Sequence, residues 1–267
     1  MAVFTSFSDE SAGKTKSDKF LFAGWIGPLA DWQDFFAPAW DERVLAGPPR
    51  IEYLHMTDIR SPLWRESNGI TEQDANNRIN GACTILDQFI NLHPLRVVIR
   101  GDFFHNEFSD IRVTNPKRKQ FNSSKYEPDY LAFFAYAWAA LKYLSIEYPE
   151  VEKLDFVVEQ KTTVSEHIKN FHAELPIALE ALGSPELARL VGSITFGDKF
   201  RSPLQAADVL AWHCARREKP KTMSRDDIKR YICMTNHRGR RIVLSKAILH
   251  KLRNAFNPIS PVTAPQL

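Results

Sequence analysis

The chain has 267 residues, 44% of them hydrophobic and 12% aromatic, with a formal net charge of +3. Intrinsic disorder is excluded as the default, because a chain this long and this apolar buries about 70% or more of its unfolded surface on folding. The longest apolar runs, 20–26 and 131–141, fall short of the roughly 18 residues that a membrane span needs.

Residues 1–10 lack the basic and apolar regions of a secretory signal. Cys83, Cys214 and Cys233 are odd in number, widely spaced and form no Cys-x-x-Cys pair, which argues against a disulfide framework or a structural zinc site. A cytoplasmic protein without a membrane partner is expected.

In chain order, 2–8 and 20–26 are predicted strands, and the polar turn between them suits a hairpin with a long loop. Trp32, Phe35, Phe36 and Trp40 recur at helical spacing, with Pro38 expected to kink or end that helix. A third strand is predicted at 51–56. Thr71-x-x-Asp74 reads as a capping box that opens a helix with Ala75, Ile79, Ala82, Leu86 and Phe89/Ile90 on one face. A buried strand follows at 95–99, and the polar stretch 101–125 reads as a long loop or insertion.

An aromatic-rich helix is predicted at 127–148, a strand at 154–159, and a helix opened by Thr163-x-x-Glu166. A strand at 191–196 leads into a helix begun by Ser202-Pro203 and running to about 217. Ser224-x-x-Asp227 caps another helix. Residues 241–244 and a last helix from 245 follow, and the proline-containing tail 257–267 reads as disordered.

Alternating strands and helices argue for an α/β fold, a mixed sheet of about five to six strands with helices on its faces. The opening hairpin makes part of the sheet antiparallel. The expected division is an α/β domain over 1–217, a basic helical extension over 218–256, and the tail. No Gly-x-Gly-x-x-Gly, P-loop, Gly-x-Ser-x-Gly or His-Glu-x-x-His motif occurs.

Charge is unevenly spread. Residues 214–253 carry 13 Lys/Arg against 3 Asp/Glu, while the rest carries 22 against 29. Such asymmetry points to an anionic partner or to a solvated surface that balances an acidic body. With a nucleic-acid partner, Arg216, Arg217, Arg238, Arg240 and Arg241, joined by Lys199 and Arg201, would touch phosphate.

Three carboxylates stand out. Asp9 ends the first strand on the face of Val3, Thr5 and Phe7, by the period of two. Glu159 ends a strand with Asp155 and Val157 on its face. Asp208 shares a helical stripe with Leu204, Ala211 and Ala215, a face that should be buried. A buried carboxylate needs a cation, a donor network or a proton. Strand ends and helix faces can bring such groups together at one sheet edge. A hard divalent ion, Mg²⁺ or Mn²⁺, relieves their repulsion.

These residues carry a family resemblance. Phe7-Ser8-Asp9-Glu10-Ser11-Ala12-Gly13 resembles the opening strand and Asp-Glu-Ser-Gly signature of the domain-of-unknown-function family numbered 3800. Phe196-Gly197-Asp198-Lys199-Phe200-Arg201-Ser202-Pro203-Leu204-Gln205-Ala206-Ala207-Asp208 resembles its closing signature: strand, Asp, then Leu-Gln-x-Ala-Asp on a helix. Phe156-Val157-Val158-Glu159-Gln160 is similar to its central strand, with Glu159 in place of the usual Asp. Ala12 interrupts the usual spacing, and the resemblance spans roughly residues 1–215.

It implies a ribonuclease H-like nuclease in which Asp9, Glu159 and Asp208 hold the metal and carry catalysis, with Asp198 nearby. Second-tier candidates are Glu10, which alternation points away from Asp9, Asp102 as a rival to Glu159, and His55 with Asp58 as an acid/base group. The expected function is metal-dependent phosphodiester hydrolysis. The alternatives are a non-catalytic binding or accessory protein of a phage-defence or mobile-element system, and a hydrolase of a small phosphorylated substrate.

Overall fold

The computed structural model describes residues 2–11, 19–100, 128–160, 162–219, 223–235 and 240–243. The expected loop at 101–125, the last helix from 245 and the tail lie outside these residues.

The strands are β1 (Ala2–Ser11), β2 (Lys19–Pro28), β3 (His93–Arg100), β4 (Val151–Glu159), β5 (Val191–Gly197) and β6 (Arg240–Val243). They form one six-stranded sheet in the order β5-β4-β1-β2-β3-β6. Strand β2 is antiparallel to both its neighbours, β1 and β3, and every other pair is parallel. The fold is therefore α/β with a mixed sheet, as the alternation implies.

Each face of the sheet is covered. Phe4, Phe22, Leu95, Val97, Leu154, Phe156 and Val158 face α5 (Pro128–Glu147) and α6 (Thr162–Ala181), with the short α7 (Pro185–Arg189) beside them. Helix α5 is buried on nearly all sides from Ala132 to Leu141, so its apolar residues follow no single stripe. Its Tyr136 hydroxyl lies 2.8 Å from Ser6 Oγ, and burial raises the phenol well above its ordinary range. Gly24 permits that approach, since a Cβ there would lie 2.6 Å from the Tyr136 hydroxyl and 2.2 Å from the Phe7 carbonyl.

On the other face, Phe7, Ala23, Trp25, Val98 and Val157 meet a second core. It is built from a helical run over 31–45, α2 (Met56–Arg60), α3 (Pro62–Ser67), α4 (Glu72–Gln88), α8 (Ser202–Arg217) and α9 (Arg225–Thr235). Three fully buried tryptophans anchor it, and each indole N–H has a partner. Trp25 donates to Ala206 O, Trp32 to Thr5 O and Trp40 to Gln205 Oε1. Truncating such a residue to Ala typically costs about 3–5 kcal/mol.

Both predicted caps occur. Thr71 and Asp74 form a reciprocal box at the start of α4, and Ser224 Oγ accepts the Asp227 N–H at the start of α9. At α8 the N-cap position is Arg201 rather than Ser202, with Pro203 in the first turn.

Two expectations are corrected and one is narrowed. Of the two outcomes expected at Pro38, a kink or an end, the helix does not end there. The run passes from a π-helix (Asp31–Phe36) through α1 (Ala37–Trp40) to a second π-helix (Asp41–Leu45), and a widened turn tolerates a residue with no N–H to donate. Residues 51–55 are not a strand. Leu54 N–H donates to Gln205 Oε1 and Met56 N–H to Asp208 Oδ2, so the side chains of α8 take the donors that a neighbouring strand would have used. Ile90 is 63% exposed rather than part of the buried face of α4.

The described residues of the basic segment pack against the body. Helix α9 packs on α4 and α8, and β6 extends the sheet beside β3.

Candidate functional site

Register brings two of the three carboxylates side by side. Strands β1 and β4 are adjacent and parallel, with Phe7 opposite Val157 and Ser8 opposite Val158. Asp9 and Glu159 occupy the next position on each strand, at the carboxyl ends. Alternation puts them on the face of Phe7 and Val157, which is the face that α8 crosses. Asp9 is buried and Glu159 half-buried. Glu10, also buried, points to the opposite face, with Ser6 and Ser8.

Asp208 lies on α8 one turn beyond Leu204, with its side chain only 13% exposed. Its Oδ2 accepts the Met56 N–H at 2.6 Å, and its Oδ1 is 4.0 Å from His55 Nε2. The other imidazole nitrogen, Nδ1, is 3.2 Å from Asp58 Oδ2. That same oxygen accepts the Tyr53 hydroxyl at 3.0 Å and lies 3.5 Å from Lys199 Nζ. The result is a row of a carboxylate, an imidazole and a carboxylate, Asp208–His55–Asp58, at ion-pair distances rather than in hydrogen bonds, ending on a lysine. Burial would push the Asp58 carboxyl up, but His55, the Tyr53 hydroxyl and Lys199 together hold it below its ordinary value.

The remaining candidates are scattered. Asp198 is exposed, and its Oδ1 accepts the Phe200 N–H at 3.1 Å, a turn-forming role. Arg201 is exposed at the N-terminus of α8. Arg216 stacks over Trp212 at 4.6 Å and stands 3.9 Å from Asp227, so it is engaged inside the α8–α9 contact. Arg217 is exposed. Arg240 and Arg241 lie on β6 opposite Leu95 and Arg96. Asp102 and Arg238 fall outside the described residues.

Among the described residues, no three His, Cys, Asp or Glu side chains are gathered into a set able to hold a metal ion. Asp9 and Glu159 do offer paired carboxylates on adjacent strands. Mg²⁺ commonly takes only one or two protein carboxylates and completes its octahedron with water and substrate phosphate. A two-carboxylate seat thus fits the donor chemistry, whereas a cage including Asp208 is not assembled while that carboxylate is held by Met56 and His55.

Sequence reasoning left Gln205 without a role. The residue is 1% exposed, its Oε1 accepts from Trp40 Nε1 at 2.7 Å and Leu54 N–H at 3.0 Å, and its Nε2 donates to Lys199 O at 3.0 Å. It braces the segment bearing His55 against the turn bearing Lys199. The available signal was a glutamine among Leu204, Ala206 and Ala207 on an apolar stretch.

Among the described residues, no helix is long and apolar enough to cross a membrane. No protein-family model matches the chain, and no curated protein matches it.

Proposed function

We propose that the protein is a metal-dependent phosphodiesterase of ribonuclease H-like arrangement, acting on nucleic acid. The single observation that carries this reading is the pairing of Asp9 with Glu159 at the ends of parallel strands, on the face crossed by the helix that bears Asp208. The resemblance described above supports it, since its strand-end carboxylates correspond to Asp9 and Glu159 and its helix carboxylate to Asp208.

Asp9 and Glu159 would hold Mg²⁺ or Mn²⁺. When bound, such an ion lowers the pKa of its water and offsets charge that builds up on the phosphoryl oxygens. His55 carries protons at Nε2, the nitrogen that faces Asp208. Asp58, 3.2 Å from Nδ1, orients the ring. Asp208, fixed by the Met56 N–H, positions that imidazole from 4.0 Å.

Manganese titration by calorimetry, with cleavage of a labelled oligonucleotide in Mg²⁺, tests the reading. Asp9→Asn and Glu159→Gln are expected to lose Mn²⁺ binding and cleavage together, with circular dichroism unchanged. Wild-type protein that neither binds Mn²⁺ nor cleaves overturns it. The hold of Met56 on Asp208 favours a second reading, a binding protein without turnover, which predicts oligonucleotide binding that is indifferent to these two substitutions.

A further inference from the structure

Next to the Asp208–His55–Asp58 row stands an aromatic shelf that the proposed hydrolysis does not use. Phe200 is 53% exposed and meets Tyr53 edge-on, with ring centroids 5.3 Å apart. Tyr53 continues to Trp64 at 6.2 Å. Lys199 Nζ lies 3.9 Å from the Tyr53 ring centre, on the same turn as Phe200.

An exposed phenylalanine alone is ordinary, but this one is held in place. Asp198 Oδ1 accepts the Phe200 N–H, and Gln205 Nε2 donates to Lys199 O, while Gln205 Oε1 accepts the Leu54 N–H. One buried side chain therefore ties the Tyr53 segment to the Lys199–Phe200 turn. A ring preordered in this way costs little further entropy when a flat ligand stacks on it.

We propose that Phe200, backed by Tyr53 and Trp64 and flanked by Lys199, is a stacking platform for an unpaired base of single-stranded nucleic acid. The inference deepens the phosphodiesterase reading and rests on it for the nature of the ligand. Bases in a duplex keep their faces covered by their neighbours, whereas a single strand offers them to aromatic side chains. The lysine ammonium, over the Tyr53 ring and 3.5 Å from Asp58 Oδ2, puts a cation beside the platform for the charge of a phosphate backbone.

The experiment is fluorescence anisotropy in EDTA, so that cleavage does not intervene, with labelled oligothymidine and a duplex of equal length. Wild type is expected to prefer the single strand. Phe200→Ala should weaken that binding about tenfold, Phe200→Trp should retain it, and Lys199→Ala should lower the affinity and flatten its salt dependence.

Unchanged affinity in Phe200→Ala, equal affinity for the duplex, or loss of binding in Phe200→Trp overturns the platform. Asp208→Asn that stops cleavage but keeps oligothymidine affinity supports it. Phe200→Ala that keeps both affinity and cleavage removes the platform and leaves the hydrolysis reading standing.

Discussion

Gln205 concentrates more of the site's order than any residue that would do chemistry. Its amide satisfies three groups from three separate parts of the chain: the Trp40 indole, the Leu54 amide and the Lys199 carbonyl. Each buried donor or acceptor left unpaired costs about 1–3 kcal/mol. Gln205→Leu is therefore expected to lose about 3 kcal/mol or more in urea denaturation, and to blunt any binding that depends on Phe200. Gln205→Glu keeps the two acceptor contacts, but loses the donor and sets a carboxylate against the Lys199 carbonyl. It should fall between wild type and Leu. Equal stability of all three proteins would show that this amide braces nothing. Arg78 acts comparably, its guanidinium donating to the carbonyls of Val44, Leu45, Gly47 and Pro49 below the second π-helix.

Elements with a clear period were legible in the sequence, and those whose partners are remote side chains were not. The caps of α4 and α9 are local patterns and appear where read. The alternation in β1 and β4 puts Phe7 and Val157 on one face and Phe4, Leu154, Phe156 and Val158 on the other, but no local signal says that these strands are neighbours. The 51–55 segment has strand composition, yet its donors go to Gln205 and Asp208, some 150 residues away. That is why the Asp208–His55–Asp58 row was invisible as a unit.

The contact between α8 and α9 holds a testable electrostatic feature. His213 is fully buried; Nδ1–H donates to Val209 O at 2.7 Å, because a carbonyl can only accept, and among the described residues Nε2 has no partner. Burial lowers its pKa from 6.5 to about 4, against the opposing pull of Asp227. As pH falls from 6.5 towards 4, the unfolded chain takes up a proton that the native chain refuses. Stability is thus full above 6.5 and is lost across that window, by about 3 kcal/mol at its lower end. His172, also lowered by burial, acts in the same direction. The decisive comparison is His213→Leu with wild type, and the variant should show a shallower decline in urea midpoint between pH 7 and 4.5. Parallel declines would remove His213 from the account.

At the scale of the whole molecule, the described part of the basic carboxyl-terminal region holds charges that fold the protein and charges that face outward. Asp227 is buried among Arg60 at 2.9 Å, Arg230 at 3.1 Å and Arg216 at 3.9 Å, and Arg230 also reaches Asn76 and Asn80 on α4. The Arg60 and Arg216 guanidinium groups lie 5.2 and 4.6 Å from the Trp212 ring centre. These arginines lock α9 onto α4 and α8, and removing one leaves a buried charge short of a partner. Arg217 and Arg225, by contrast, are exposed at the facing ends of α8 and α9.

The composition of 214–253 cannot separate the two groups, since both are arginines in one basic run. If the region contacts phosphate, Arg217 and Arg225 should be among the groups that carry it. Each phosphate contact adds about 0.7–0.9 to the slope of log affinity against log salt. The Arg217→Ala/Arg225→Ala double variant should therefore lower that slope by about 1.5 on oligothymidine, with its urea midpoint unchanged. Arg230→Ala should lower the midpoint and leave the slope of the remaining folded protein as it was. A double variant with the wild-type slope would mean that phosphate is held elsewhere, and the outward charge would then act as a solvated surface.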